Sequence, residues 1–126
     1  MIKIAVVDDE RMLLNVFSSI MRQYNYDAHF FSHPVSALNA IILHPDRYKL
    51  VITDILMPEL DGIEFAKKVR EAVPGMPILF MTGDATEEAK RQSQKMGNTV
   101  FLEKPFPLEH TLKEVIPKLL ADQKAV

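Results

Sequence analysis

The sequence predicts a doubly wound α/β domain: a parallel five-stranded sheet of (βα)5 type in the strand order 2-1-3-4-5. Two observations predict it. Five short runs rich in Val, Ile and Phe recur along the chain, and most are continuously apolar rather than alternating, as in strands buried on both faces. Between them lie segments whose apolar residues return at helical spacing, with no internal repeat and no low-complexity stretch.

The first strand is expected over 2–7 and runs straight into three acids, Asp8, Asp9 and Glu10. Met12, Leu13, Val16, Phe17, Ile20 and Met21 then give the spacing of a first helix, and Asn25 suits a left-handed cap after it. A second strand at 28–31 precedes a helix with Pro34 near its first turn and Val35, Leu38, Ile41 and Ile42 on its apolar side. The third strand, 50–53, leads to a helix marked by Ile63, Ala66, Val69 and Val73, which Pro74-Gly75 stops. After the fourth strand, 77–82, a helix is expected to open with Asp84 and Glu87 at capping-box spacing and to close at Gly97. The fifth strand, 99–102, precedes a helix with Leu108, Leu112, Val115, Ile116, Leu119 and Leu120 on one side. Pro117 falls inside that run and removes a helical hydrogen bond, so a kink or a restart is expected there.

A length of 126 residues suits one domain with a real core. With 15 basic and 17 acidic side chains the formal charge is −2, which provides no global basic field to hold nucleic acid. The absence of cysteine excludes a disulfide framework and thiolate metal sites. No segment has the make-up of a signal peptide, and no apolar run approaches the ~20 residues that span a bilayer. A cytoplasmic location is the expectation.

In such a sheet, ligands bind beyond the carboxyl ends of the strands, where the strand order reverses. Asp8 and Asp9 end the first strand, and Asp54, in "LVITDILMPELDG", ends the third, its neighbour. At ~5 Å and an effective dielectric of ~20, each ionised pair repels by roughly 3 kcal/mol. The set therefore requires a cation or a strongly raised pKa. Oxygen-only ligands with room for water suit Mg2+. Such an ion neutralises the acids and clamps phosphoryl oxygens while one carboxylate attacks phosphorus. Thr82, in "ILFMTGD", and Lys104, in "VFLEKPF", end the fourth and fifth strands, with Gly83 beside Thr82 permitting close approach of backbone.

Each piece alone has a plainer reading. Asp8 and Asp9 suit the N-cap of the first helix. Thr82 suits a strand-end hydroxyl, Lys104 a solvated charge, and Met57-Pro58 and Asp61-Gly62 turn chemistry. His29, His33, His44 and His110 are scattered and read as surface or structural, and Lys90, Arg91 and Lys95 as a solvated helix face. The register of acid pair, single Asp, Thr and Lys at the strand ends outweighs those readings. An electron-transfer flavoprotein needs a phosphate-cradling Ser/Thr/Gly-rich turn where this chain has "VVDDERM", which repels phosphate. A Mg2+-dependent phosphatase with a nucleophilic Asp carries D-x-D on its first strand, absent here.

On these residues the chain resembles the receiver domains of response regulators in bacterial two-component signalling (CheY-like). The matching pieces are Asp8-Asp9, Asp54 with "DILMPELDG", "MTG" at 81–83 and "KPF" at 104–106, and the resemblance runs from 1 to about 120. It implies a flavodoxin-like fold, a receiver domain over 1–121, and 122–126 as a short polar tail or the start of a linker. It further implies a phosphorylation-activated switch that catalyses its own phosphoryl transfer and autodephosphorylation, rather than an enzyme with a separate substrate.

By the same resemblance, Asp54 accepts the phosphoryl group from the phosphohistidine of a sensor histidine kinase or histidine phosphotransfer protein. Asp9, Asp54 and the main-chain carbonyl of Leu56 would ligate Mg2+ directly, and Asp8 mostly through water. Thr82 would move to hydrogen-bond the phosphoryl group, Lys104 would pair with it, and the Lys104–Pro105 peptide would be cis. Phe101 stands at the family's switch-aromatic position without a tyrosine's hydroxyl, and reads as a switch or as a core aromatic. Leu56 and Asp84 occupy positions that bear on phosphoryl lifetime, Leu56 as an apolar shield and Asp84 as an acid that orients or repels water. A receiver that binds partners without phosphorylation is the degenerate alternative, against which the intact set of five residues speaks. The fourth helix, fifth strand and fifth helix would form the face for a downstream target, on a monomer or a phosphorylation-dependent homodimer, with no direct nucleic-acid or membrane contact. "ADQKAV" contains no helix-turn-helix, so a stand-alone receiver is expected; the alternative is a receiver cut from a regulator with a DNA-binding or enzymatic output domain.

Overall fold

The computed structural model describes residues 2–84 and 86–124, apart from the side chains of 11–14 and 122–124. Five strands, β1 (Ile2–Val7), β2 (Tyr26–Phe31), β3 (Leu50–Asp54), β4 (Ile78–Thr82) and β5 (Thr99–Glu103), form one parallel sheet in the order β2-β1-β3-β4-β5. The expected strand order is therefore observed. β1, β3 and β4 bury residues on both faces, which is why their sequences read as continuous apolar runs.

Alternate residues of the strands feed two cores. On one face Ile4, Val6, Leu50, Ile52, Leu79 and Met81 pack with Phe17 and Met21 of α1 (Arg11–Gln23) and with Leu112, Ile116 and Leu119 of the last helix. On the other, Ala5, Val7, Val51 and Phe80 pack with Ala37 and Ile41 of α2 (Pro34–Leu43) and with Phe65, Ala66 and Val69 of α3 (Gly62–Ala72). Met12 and Leu13 lie outside the described side chains. Val16 is turned to solvent, a correction to its expected place on the apolar side of α1. In α2 the buried line is Pro34, Ala37 and Ile41 with Leu38 beside it; Val35 and Ile42, expected on that side, are exposed. A helix resting on a twisted sheet covers a stripe narrower than the apolar sequence pattern alone suggests.

Asn25 takes the left-handed conformation after α1, at φ 64°, and Pro34 occupies the start of α2. α3 ends at Ala72, ahead of Pro74-Gly75. α4 (Glu87–Met96) closes at Gly97, but its N-cap is Thr86, whose side chain accepts the Ala89 N–H; Asp84, the expected cap, lies two residues earlier. The cause is local: the Asp84 N–H is taken by the Thr82 hydroxyl at 3.2 Å, which holds Asp84 in the turn above β4. The last helix, α5, opens over Leu108–His110, widens into a π turn over Thr111–Val115 and resumes as α-helix over Ile116–Lys124. In the widened turn Ile116 N–H reaches back to the Thr111 carbonyl. That extra room immediately before Pro117 absorbs the clash its ring has with the preceding turn, so the helix restarts instead of ending.

Candidate functional site

The parallel register sets the site. Val7 pairs with Thr53, Asp54 with Met81 and Thr82 with Glu103, so the residues closing β1, β3, β4 and β5 arrive at one edge of the sheet. Asp8 and Asp54 are buried, at 0% and 6% exposure, whereas Asp9 is exposed. One carboxylate oxygen from each of Asp8, Asp9 and Asp54 lies within 4.8 Å of the others.

Among the described residues, main-chain donors and the Lys104 ammonium hold Asp8 and Asp54. Asp54 Oδ1 accepts the N–H of Ile55 at 2.7 Å and of Leu56 at 3.3 Å, which sets the carboxylate plane. Asp8 Oδ1 accepts the Glu10 N–H at 2.9 Å. Lys104 Nζ then bridges the two remaining oxygens, at 3.1 Å from Asp54 Oδ2 and 3.2 Å from Asp8 Oδ2. Burial pushes the Asp8 carboxyl above its ordinary range, against the opposing pull of the Glu10 N–H and the Lys104 ammonium. Burial pulls the Lys104 ammonium down, but the hydrogen bonds and charges of Asp54 and Asp8 more than offset it and hold Lys104 above the usual lysine value.

Lys104 thus pairs with Asp8 and Asp54, while Asp9 adds a third carboxylate to the cluster. An oxygen-only donor set with excess negative charge fits a hard divalent cation such as Mg2+ and excludes a soft-metal site. The residues available to hold it are Asp8, Asp9 and Asp54.

Thr82 is fully buried at the end of β4, with its Oγ1 engaged by the Asp84 N–H rather than by Asp54. The Thr82 carbonyl receives the Lys104 N–H at 2.7 Å, which ties the start of the lysine loop to β4. The Lys104–Pro105 peptide is cis. Phe101 pairs in register with Phe80 and is partly buried against the α3-side core. Leu56 and Asp84 are both exposed. Around Gly83 the space is open, with nothing within 4 Å of a Cβ built there.

Two residues that hold the site are hard to read from sequence. Thr53 Oγ1 donates to the Asp54 carbonyl at 2.8 Å. Gly62, the first residue of α3, donates its N–H to the Ile55 carbonyl at 2.8 Å, and a Cβ there would stand 2.0 Å from the Asp54 carbonyl oxygen. The Asp61-Gly62 pair reads as turn chemistry in sequence; Gly62 is in addition a close approach of α3 to the backbone of Asp54. A threonine one residue before an acid carries no comparable signal.

Comparison with known proteins agrees with this geometry. The model of the response regulator receiver domain matches residues 4–116. The response regulator receiver protein CpdR of Brucella abortus is 30% identical over 119 residues, covering 94% of this chain and 98% of that protein. The transcriptional regulatory protein SpaR of Bacillus subtilis is 32% identical over 106 residues, 84% of this chain but 46% of SpaR. The chain thus spans nearly all of CpdR, about half of SpaR and only 17% of the plant regulator ARR21 of Arabidopsis thaliana. Among solved structures, the chemotaxis protein CheY4 of Vibrio cholerae superposes with a TM-score of 0.81 at 29% identity, over 93% of this chain and 98% of that one. A receiver domain from Clostridium thermocellum shares the fold at a TM-score of 0.92 and 22% identity, over 99% and 98% of the two chains. Five parallel strands in this order, and acids gathered at the edge where the order reverses, are what that family requires, and the chain belongs to the response-regulator receiver domains of two-component signalling.

Proposed function

We propose that this receiver is switched by phosphorylation of Asp54, with the phosphoryl group drawn from the phosphohistidine of a sensor histidine kinase or a histidine phosphotransfer protein. The observation that carries the reading is the bridge of Lys104 Nζ between Asp54 and Asp8, with Asp9 in the same cluster. Asp8, Asp9 and Asp54 would hold Mg2+, with the main-chain carbonyl of Leu56 as a further ligand. When bound, the ion supplies charge neutralisation at the acids and a clamp for phosphoryl oxygens.

The chain's own groups account for the rest. An Asp54 carboxylate oxygen attacks phosphorus, the P–N bond breaks with its electron pair going to the imidazole, and an acyl phosphate forms. The two main-chain donors on Asp54 Oδ1 orient the carboxylate before attack. Lys104, held between two acids, exchanges a carboxylate partner for a phosphoryl oxygen and retains its charge while doing so. The Thr82 hydroxyl leaves the Asp84 N–H for the phosphoryl group, which loosens the turn leading into α4. Phe101, only partly buried, follows inward by gaining burial alone. Leu56 shields the acyl phosphate and Asp84 acts on the attacking water, so the pair tunes its lifetime.

The altered surface is the α4-β5-α5 face, where a downstream protein docks or a second receiver pairs; one neighbour in the fold, the NtrC4 receiver, was solved as a beryllofluoride-activated dimer. The same site serves a stand-alone cytoplasmic regulator or the input domain of a longer one with a DNA-binding or enzymatic output. No helix among the described residues is long and apolar enough to cross a membrane.

Intact mass after incubation with acetyl phosphate tests the chemistry. One phosphoryl adduct that needs Mg2+ and vanishes in Asp54→Asn is expected. An adduct that persists in Asp54→Asn would sink the assignment. So would the absence of any Mg2+-dependent response to beryllofluoride by NMR, since that mimic needs the site but no phosphoryl lifetime.

A further inference from the structure

α4 has little apolar hold on the domain. Of its ten residues only Ser93 is buried, and Ala89 and Met96 rest on the core at partial exposure. Its two ends are tied by polar contacts of different kinds. Ahead of its N-terminal end, among the described residues, the Asp84 N–H rests on the Thr82 hydroxyl of β4, at 3.2 Å. At the C-terminal end most of the ties converge on one side chain, Arg70 of α3, and the Asn98 amide adds a bond to the Gly75 carbonyl at 3.3 Å.

Arg70 Nη1 donates to the carbonyl of Met96 at 3.0 Å, and Nη2 donates to those of Gly97 at 2.7 Å and Asn98 at 3.1 Å. Its Nε donates to the Met76 carbonyl, at 2.6 Å, in the loop leading to β4. Three successive carbonyls can face one cation because Gly97 and Asn98 both adopt positive φ, 70° and 53°, which turns the chain around the guanidinium. These carbonyls lie at the negative end of α4, where the last residues lack partners within the helix. Only a planar fork of five donors serves so many acceptors at once, and no acid pairs with Arg70 among the described residues. Thr99 Oγ1 adds one more bond to the same end, donating to the Ser93 carbonyl at 2.8 Å.

We propose that Arg70 is the pivot of α4: it pins the C-terminal end of the helix to α3, so that motion triggered at Thr82 is confined to the N-terminal end. The anchor stands on the geometry alone; the motion rests on the phosphoacceptor reading of Asp54. Arg70 is thus a positioning residue for the switch, remote from the phosphoryl chemistry.

Segment-resolved amide exchange on the full chain tests it, with and without beryllofluoride and Mg2+. In Arg70→Gln, exchange over 94–99 should rise by at least about tenfold while β1 and β3 keep their protection. Between residues 82 and 99, beryllofluoride should alter exchange in the wild type over 82–90 only, and in the variant through to 99. Unchanged exchange over 94–99 in the variant, or a wild-type response that already reaches 99, overturns the pivot. If Arg70→Gln loses protection everywhere, Arg70→Lys decides. It keeps the charge and the stem, but its ammonium cannot hold four carbonyls, so selective loss over 94–99 supports the pin and none overturns it. No beryllofluoride response in the wild type would sink the phosphoacceptor reading and the pivot with it, while the unliganded exchange would still judge the anchor.

Discussion

α3 and α4 begin at the same edge of the sheet, one after the strand that ends in Asp54 and the other after the strand that ends in Thr82, yet they are held by different means. α3 buries Gly62, Ile63, Phe65, Ala66 and Val69, and its first residue touches the backbone of Asp54. At roughly 1.5–3 kcal/mol for each large apolar side chain taken from water, that face makes α3 part of the core. α4 buries one serine, rests Ala89 and Met96 on the core at partial exposure, and depends heavily on hydrogen bonds near its two ends. Its opening should therefore cost far less than global unfolding, whereas α3 should open only when the domain does. The proposed switching of Asp54 gains from this division: the acid is braced by a fixed helix, while the N-terminal end of α4 is lightly held.

The two glycines at this edge give the strongest way to break the contrast. A Cβ on Gly62 would meet backbone atoms that cannot yield, the Asp54 carbonyl oxygen at 2.0 Å and the Ile55 Cα at 2.8 Å, while one on Gly83 would meet nothing within 4 Å. Gly62→Ala should cost roughly 3 kcal/mol, the upper end of the overpacking range. Gly83→Ala should stay within roughly 0.5 kcal/mol of the wild type. Urea denaturation midpoints at constant slope measure both. Equal midpoints for the two variants would show that α3 is no more tightly joined to the site than the turn before α4.

Charge at the same edge sharpens the comparison by a smaller amount. Asp8 is fully buried, is pushed above the ordinary carboxylate range by that burial, and shares Lys104 with Asp54. A carboxyl whose folded-state pKa is raised destabilises the fold when ionised. The cost is absent below the unfolded-state value and appears as pH rises through the folded-state value. Asp8→Asn should therefore stabilise the domain at neutral pH, with the gain vanishing as pH falls to the ordinary carboxylate range. Mg2+ should raise the wild-type midpoint more than that of the variant. Exchange in α3 should slow with the global gain, while exchange in α4, governed by local opening, should not change. A gain that persists undiminished in acid would rule out ionisation of Asp8 as the source.

The sheet and its acids were legible because each has an unmistakable physical signature. Continuous apolar runs separated by helical periods leave few arrangements other than a parallel sheet, and carboxylates at the ends of buried strands need a charged partner. What was illegible depends on contacts distant in sequence. Arg70 carries no signal in the sequence because its acceptors lie 6, 26, 27 and 28 residues away. Asp84 and Glu87 have the spacing of a capping box, but the Asp84 N–H is committed to Thr82, and Thr86 caps instead. Gly62 shows in sequence as a turn residue, while its contact with the Asp54 carbonyl emerges only once α3 is laid against β3. Val16 and Ile42 are apolar at helical spacing and still face solvent, because periodicity reports a direction and not the width of the sheet beneath it.

The smallest effect gives the finest distinction, since the two helices are capped alike. Asp61 accepts the Glu64 N–H at 2.9 Å at the start of α3, and Thr86 accepts the Ala89 N–H at 3.1 Å at the start of α4. Removing either cap costs roughly 0.5–1 kcal/mol of helix stability. In α3, Asp61→Ala should appear in the denaturation midpoint, because the helix unfolds with the core to which it is joined. In α4, Thr86→Ala should leave the midpoint almost unmoved and instead quicken exchange over 87–91 by roughly two- to fivefold, as the loss falls on an opening that precedes global unfolding. Matching shifts in midpoint would place α4 in the same cooperative unit as α3, and its freedom to move would then have to come from the phosphoryl group rather than from the way the resting helix is held.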